Sequence, residues 1–160
     1  MATDKPISRD QLMKNLQEDL SREYQAILAY VVYSQALKGA AYMNIAQELE
    51  VHAGEELQHA LTIAKQIDYL GGMPNGTALP VKLTEDAEGM LRADLENEND
   101  TLRGYRERVK QCEAMGEYGI AEDIREILRQ EQEHQSDLAT ALGIDPPDVS
   151  KGGEEPKKKK

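Results

Sequence analysis

Two short phrases in this chain end alike. Residues 54–59 read G-E-E-L-Q-H and residues 129–134 read R-Q-E-Q-E-H, placing Glu56 three positions before His59 and Glu131 three before His134. On a helix, residues i and i+3 share a face, so each phrase aims a carboxylate and an imidazole the same way, the beginning of a metal site. One such phrase in a chain with 30 acidic residues carries little weight, but here two of only three histidines close one. Each phrase also has a glutamate upstream, and the interval from Glu23 to Glu56 equals that from Glu98 to Glu131. One fixed shift along the chain lays D-L-S-R-E (19–23) on D-L-E-N-E (94–98), Tyr30 on Tyr105, and E-L-Q-H on E-Q-E-H. The chain reads as one helical hairpin used twice.

The neighbours along each stripe are apolar or small: Leu49, Ala60 and Ile63 around the first phrase, Ile127, Leu128 and Leu138 around the second. Four carboxylates buried there without partners would be very costly. Two divalent cations cancel four negative charges, and two neutral imidazoles complete the donor set without adding charge. Oxygen-rich ligation with one histidine per metal suits iron or manganese, with zinc admissible, better than it suits a structural zinc site built on Cys and His. The expected ligands are Glu23, Glu56, His59, Glu98, Glu131 and His134. Tyr30 and Tyr105 follow Glu23 and Glu98 by two turns on the same side, as core packing or as hydrogen-bond partners of the ligand carboxylates. His52, one turn before Glu56, is expected at the surface beside Glu55, with an accessory metal site as the alternative. Glu55 and Glu133 read as solvent-facing or outer-sphere carboxylates. Met43, Met73, Met90 and Met115 read as packing or loop residues.

Four long segments with helical periodicity must position these groups, and no alternating strand pattern competes with them. The first starts at a Ser8/Gln11 capping box with Ile7 and Leu12 at the staple positions, and breaks at Lys38-Gly39. The second covers roughly Ala41 to Leu70 and stops at Gly71-Gly72. Residues 71–84 are rich in Gly and Pro and form the one long internal connection. The third helix is expected to begin at Thr84 as N-cap, with Glu85 and Asp86 in its first turn, and to run to about Met115. The fourth runs from Glu117 to about Leu142, ended by Gly143. Two short connections and one long one define an all-α four-helix bundle with a single crossover. Glu23 and Glu56 lie almost equally far to either side of Gly39, as Glu98 and Glu131 do to either side of Met115. At about 1.5 Å of rise per residue, the members of each pair stand at nearly one height.

The formal net charge is −11 over 160 residues, and the segment from Pro146 onward holds five lysines against three acids. The remaining body, at about −13, repels nucleic acid and membrane phosphates and attracts cations. Nucleic acid is therefore not an expected partner. No apolar run approaches the length of a membrane span. The first residues lack the apolar stretch of a signal peptide, and the lone Cys112 fits a reducing compartment, so the expected location is cytoplasmic. The expected organisation is an extension over 1–8, the helical domain over 9–143, and a Lys-rich tail over 144–160.

The constellation Glu23, Glu56-L-Q-His59, Glu98, Glu131-Q-E-His134 resembles the ferritin-like superfamily, and bacterioferritin most of all. The family pattern is a Glu from each of two helices plus Glu-x-x-His from each of the other two. E-Y-Q-A-I-L-A-Y (23–30), Y-L-G-G-M-P-N (69–75), M-L-R-A-D-L-E-N-E (90–98) and I-R-E-I-L-R-Q-E-Q-E-H (124–134) carry the likeness further, over roughly residues 10 to 143. The resemblance implies two irons per chain bridged by Glu56 and Glu131, one held by Glu23 and His59 and the other by Glu98 and His134. It implies that Tyr30 is the tyrosine beside the di-iron centre linked to electron donation and hydrogen bonding. The implied reaction is oxidation of Fe(II) by O2 or H2O2, for iron storage or detoxification, in a homo-oligomer from dimer to shell. Two departures matter. The methionine that binds haem in bacterioferritins, directly after the first E-x-x-H glutamate (Glu56 here), is Leu57 in this chain, so no haem is expected. Residues 143–153 do not read as the family's fifth helix. A rubrerythrin-like peroxide-scavenging oxidase and a Dps-type mini-ferritin acting on DNA through the lysine tail are the alternatives. The chain lacks the four-cysteine segment of the former, and its ligand set is complete within one chain, unlike the latter.

Overall fold

The structure, a computed structural model of the chain, describes residues 5–151. It is built of α1 (Arg9–Ala36), α2 (Met43–Tyr69), α3 (Ala87–Ala114) and α4 (Tyr118–Leu142), with a single 3-10 turn at Ala40–Tyr42. The Ser8 hydroxyl caps α1 by accepting from the Gln11 amide at 3.0 Å, one half of the expected capping box, while the Gln11 side chain pairs with that of Asn15 rather than reaching back to Ser8. The start of α3 differs from expectation. Asp86, not Thr84, is the cap, and its carboxylate accepts from the Gly89 amide at 2.7 Å. Thr84 Oγ1 accepts from the Asp86 amide one step earlier, at 3.2 Å. A carboxylate is favoured at this end because it also meets the positive pole of the helix dipole. Gly143 closes α4 in the left-handed conformation (φ 70°), and the next amide, of Ile144, donates to the Ala139 carbonyl at 3.0 Å. This C-cap turns the buried Ile144 back into the core. Among the described residues no helix follows α4, and the lysines at 157–160 lie outside them.

Helix α1 packs chiefly on α2 and α3 on α4, while α1 also neighbours α3 and α2 neighbours α4. The link between the hairpins runs up the side of α1. Gln17 Nε2 donates to the Met73 carbonyl, Tyr24 Oη to that of Asn75, Gln25 Nε2 to that of Pro80, and Tyr33 Oη to that of Lys82. The part of α1 from Gln17 to Tyr33 is thus matched by the more extended backbone from Met73 to Lys82, and α3 begins at the C-terminal end of α1. That is the single crossover of the sequence reading, held down by side-chain donors that satisfy a strand-free backbone. Gly72 opens it: a Cβ there would lie 2.2 Å from Met13 Sδ, so a larger residue would force the Met13 side chain aside where the link leaves α2 against α1. No helix of the described residues is long and apolar enough to cross a membrane.

The apolar core is in two parts. One contains Leu16, Leu20, Ile63, Ile67, Cys112 and Ile124, and the other Tyr33, Leu49, Leu91, Leu95, Leu138 and Ile144. Each draws on all four helices. Between them the interior is polar: Glu23, Glu56, His59, Glu98, Glu131 and His134 are all buried at this waist.

Candidate metal centre

The four helices deliver the six predicted residues to one place, and their donor atoms fall into two overlapping groups. Glu23, Glu56, His59 and Glu131 each offer an atom within 4.8 Å of the others, as do Glu56, Glu98, Glu131 and His134. Glu56 and Glu131 belong to both. His59 Nδ1 lies 2.9 Å from Glu56, 3.2 Å from Glu131 and 3.6 Å from Glu23. His134 Nδ1 lies 3.0 Å from both Glu56 and Glu131 and 3.8 Å from Glu98. Glu23 Oε2 and Glu98 Oε2 are buried with no hydrogen-bond partner, a costly condition for carboxylate oxygens unless a cation completes them. The donor chemistry therefore fits two divalent ions, with Glu56 and Glu131 shared.

The outward edges of the histidines are also engaged. His59 Nε2 lies 2.6 Å from Gln130 Oε1, and His134 Nε2 lies 2.5 Å from Glu55 Oε2. Each acceptor holds the ring proton on Nε2 and leaves Nδ1 facing the carboxylates, the arrangement by which outer partners fix a ligating histidine. Positions 55 and 130 are themselves related by the hairpin repeat, which thus extends to this outer layer with one difference: a carboxylate backs His134 and a neutral amide backs His59. The tyrosines cross the bundle. The Tyr30 hydroxyl, on α1, donates to Glu98 on α3, and the Tyr105 hydroxyl, on α3, donates to Glu23 on α1. Behind Glu23, Asp19 receives Arg108 through two nitrogens at 2.7 and 3.1 Å. Its counterpart Asp94 is buried with one oxygen unpartnered.

Electrostatics follow from this crowding. Burial and the neighbouring Glu131 lift the Glu98 carboxyl to about 7. Burial, then Glu131, Glu23 and Glu98, raise Glu56 well above the ordinary range. Burial pushes Glu131 upward too, yet hydrogen bonds from His134 and His59 bring it below its usual value. The same contacts overcome desolvation at the two imidazoles and raise both. Protons thus stand on Nδ1 where metal ions would bind, and metal binding must displace them. Burial above all lifts the Tyr30 and Tyr105 hydroxyls well above 10, so both remain phenols that donate.

Two sequence readings need correction or completion. His52 is not at the surface. It is 1% exposed, with Nε2 3.0 Å from Asp137 Oδ2 and its ring stacked on His134 at a centroid distance of 4.1 Å. The i, i+4 and i+7 spacing from His52 through Glu56 to His59 puts all three on the inward face. Gln130, Asp137 and the Asp19–Arg108 pair do not stand out in the sequence. The hairpin repeat pairs Gln130 with Glu55 and could have found that one, but Arg108 has Tyr33 as counterpart and carries no such signal. Glu133 is exposed as expected. Among the methionines, Met90 packs in the core while Met43 and Met73 lie at the surface.

A buried waist of four carboxylates and two histidines in a singly crossed four-helix bundle is the architecture of a ferritin-like carboxylate protein. The chain belongs to the family with the ferritin-like domain, which it matches over residues 13–145. Bacterioferritin of Brucella melitensis is 28% identical over 145 residues, spanning 90% of this chain and 88% of that protein. A ferritin-like diiron-carboxylate protein of Bacillus anthracis superposes with a TM-score of 0.81 at 28% identity, covering 89% of this chain and 99% of that one. A dodecameric thioferritin of Bacteroides fragilis, a bacterioferritin-related protein, superposes with a TM-score of 0.79 at 26% identity, covering 86% and 87%.

Proposed function

We propose that this chain is a di-iron ferroxidase serving iron storage or detoxification. Glu56 and Glu131 would be shared between two iron ions, Glu23 and His59 completing the donors of one and Glu98 and His134 those of the other. The observation that carries the reading is the pair of donor groups sharing Glu56 and Glu131 and lined by the orphaned oxygens of Glu23 and Glu98. Membership of the ferritin-like family supports iron storage and ferroxidase-type chemistry at that level. Bound iron supplies the redox step: two Fe(II) become two Fe(III) as O2 and two protons become H2O2, or as H2O2 and two protons become two waters. The chain's own groups hold and orient. Tyr30 and Tyr105 each fix one terminal carboxylate, Glu55 and Gln130 fix the imidazoles, and the apolar layers above and below keep bulk water out. A cavity of about 510 Å³ beside His59, lined by Gln58, Thr62, Lys65, Gln130 and Glu133 among others, reaches this edge of the centre from solvent. Manganese or zinc would find the same donors.

The reading is of a haem-free homo-oligomer. Leu57 offers only hydrocarbon where a haem ligand would stand. Of the large apolar side chains left exposed on helices, three lie on α1 and five on α2, against Tyr118 alone on the second hairpin. That imbalance supports association through the first hairpin.

Metal content and Fe(II) oxidation of the purified protein test the centre. About two irons per chain, lost in Glu56→Ala and in Glu131→Ala, are expected. Retained binding and oxidation in both variants would overturn the assignment. Native mass tests the oligomer, and a haem absorption band in the purified protein would refute the haem-free form.

A further inference from the structure

We propose that Glu48, His52 and Asp137 form a third divalent-cation site, on the seam between α2 and α4 and outside the di-iron centre. The inference goes beyond the proposed function and uses none of its six ligands. One donor atom from each of these three residues lies within 4.8 Å of the others. His52 Nε2 stands 3.0 Å from Asp137 Oδ2 and 3.7 Å from Glu48 Oε1. Two ligands each about 2.1 Å from one metal ion are separated by about 3.0–3.4 Å at bond angles of about 90° to 109°. The histidine and Asp137 already have that separation. Glu48, with its side chain 48% exposed, needs to move only a few tenths of an ångström to join them.

The histidine is what sets this group apart from ordinary surface carboxylates. Its ring is fixed on both sides, stacked on His134 at 4.1 Å with 27° between planes and met edge-on by Tyr30 at 5.2 Å. Nδ1 is buried without a partner, so Nε2 is the one nitrogen directed outward, at two half-exposed carboxylates on separate helices. Those carboxylates line a surface cavity of about 290 Å³ together with Asn44, Ile45 and Thr140. Two carboxylates neutralise a divalent ion, the neutral imidazole adds a third donor, and water from the cavity fills the remaining positions. An ion with open positions exchanges readily, and a one-histidine, two-carboxylate set suits Fe(II), Mn(II), Co(II) or Zn(II). The position related to His52 by the hairpin repeat is Ile127. The site therefore exists once per chain, on the His134 side.

Co(II) is the probe, with equilibrium dialysis of the full chain and anomalous diffraction from Co(II)-loaded crystals. The parent is expected to bind three Co(II) per chain, Asp137→Asn two, and the double variant Glu56→Gln/Glu131→Gln one. The anomalous peak lost in Asp137→Asn should lie between His52 Nε2 and residue 137. Asp137 is partly exposed and removable without a core defect, and His52→Gln should lose the same ion. If the di-iron reading fails and this one stands, the parent binds one Co(II) and Asp137→Asn none. Equal binding by parent and Asp137→Asn, or extra ions only at other surface carboxylates, overturns the proposal.

Discussion

Replacing Glu98 by Gln should stabilise the metal-free protein while damaging its response to metal. In the folded chain this carboxyl is lifted from its ordinary 4.5 to about 7 by burial and by Glu131. An acid whose folded pKa is raised holds its proton more tightly when folded. That stabilisation is complete below pH 4.5, declines as pH rises from 4.5 to 7, and is gone above pH 7. At about 1.4 kcal/mol per pH unit, the ionised group above pH 7 costs the fold about 3 kcal/mol. Glutamine keeps the shape, and its amide oxygen can still accept from the Tyr30 hydroxyl. In a chelating buffer at pH 8, Glu98→Gln should therefore gain up to about 3 kcal/mol, or roughly 6–12 °C in Tm for a chain of this size. At pH 5 the gain should shrink below about 1 kcal/mol. Added Fe(II), Mn(II) or Co(II) should reverse the order, because the parent gains binding free energy that the variant has partly lost. Thermal unfolding at both pH values, with and without metal and at fixed protein concentration, measures all four quantities. A variant less stable than the parent at pH 8 without metal, or a gain independent of pH, would refute the electrostatic account of the waist.

The carboxylate behind His134 and the amide behind His59 should give two unequal metal affinities, the His134 half filling first. Glu55→Gln should lower the tighter affinity about tenfold in calorimetric titration with Co(II), and an unchanged isotherm would show the outer carboxylate to be idle. Arg108→Leu should cost about 3–5 kcal/mol in urea unfolding because it strands buried Asp19, whereas Asp19→Leu/Arg108→Met should cost far less. Similar losses in both would contradict this. Burial lifts the Cys112 thiol to about 11, so it should resist alkylation in the folded protein at pH 8 and react readily in denaturant. An acid raised in this way also makes the fold lose stability between pH 9 and 11, and Cys112→Ala should remove that part of the loss lying below pH 10, before the raised tyrosines contribute; prompt alkylation of the native protein would contradict the burial.

The helices and the six residues at the waist are legible in the sequence because they obey periods. Helical spacing sets the faces, the equal glutamate intervals set the heights, and the hairpin repeat joins the halves. Differences arise where local chemistry competes. Thr84 and Asp86 are both good caps, and only the backbone path decides between them. His52 reads as exposed because its sequence neighbour Glu55 is acidic, yet what buries it is His134, two helices further along the chain and invisible to local pattern. The crossing of Tyr30 to Glu98 and of Tyr105 to Glu23 is equally hidden: sequence puts each tyrosine beside the glutamate of its own helix, and the bundle gives it the other's. Arg108 cannot be read at all, since its partner Asp19 is fixed by packing of α1 on α3.

The division of the apolar core bears on how the centre is made. Each half contains side chains from all four helices, so each closes as a complete layer without help from the waist. The carboxylates between them are therefore brought to one level by packing on both sides, and the imidazoles of His59 and His134 stand among them. A cation arriving there takes over the carboxylates' charge from the protons on the two imidazoles, so the affinity for metal should rise with pH.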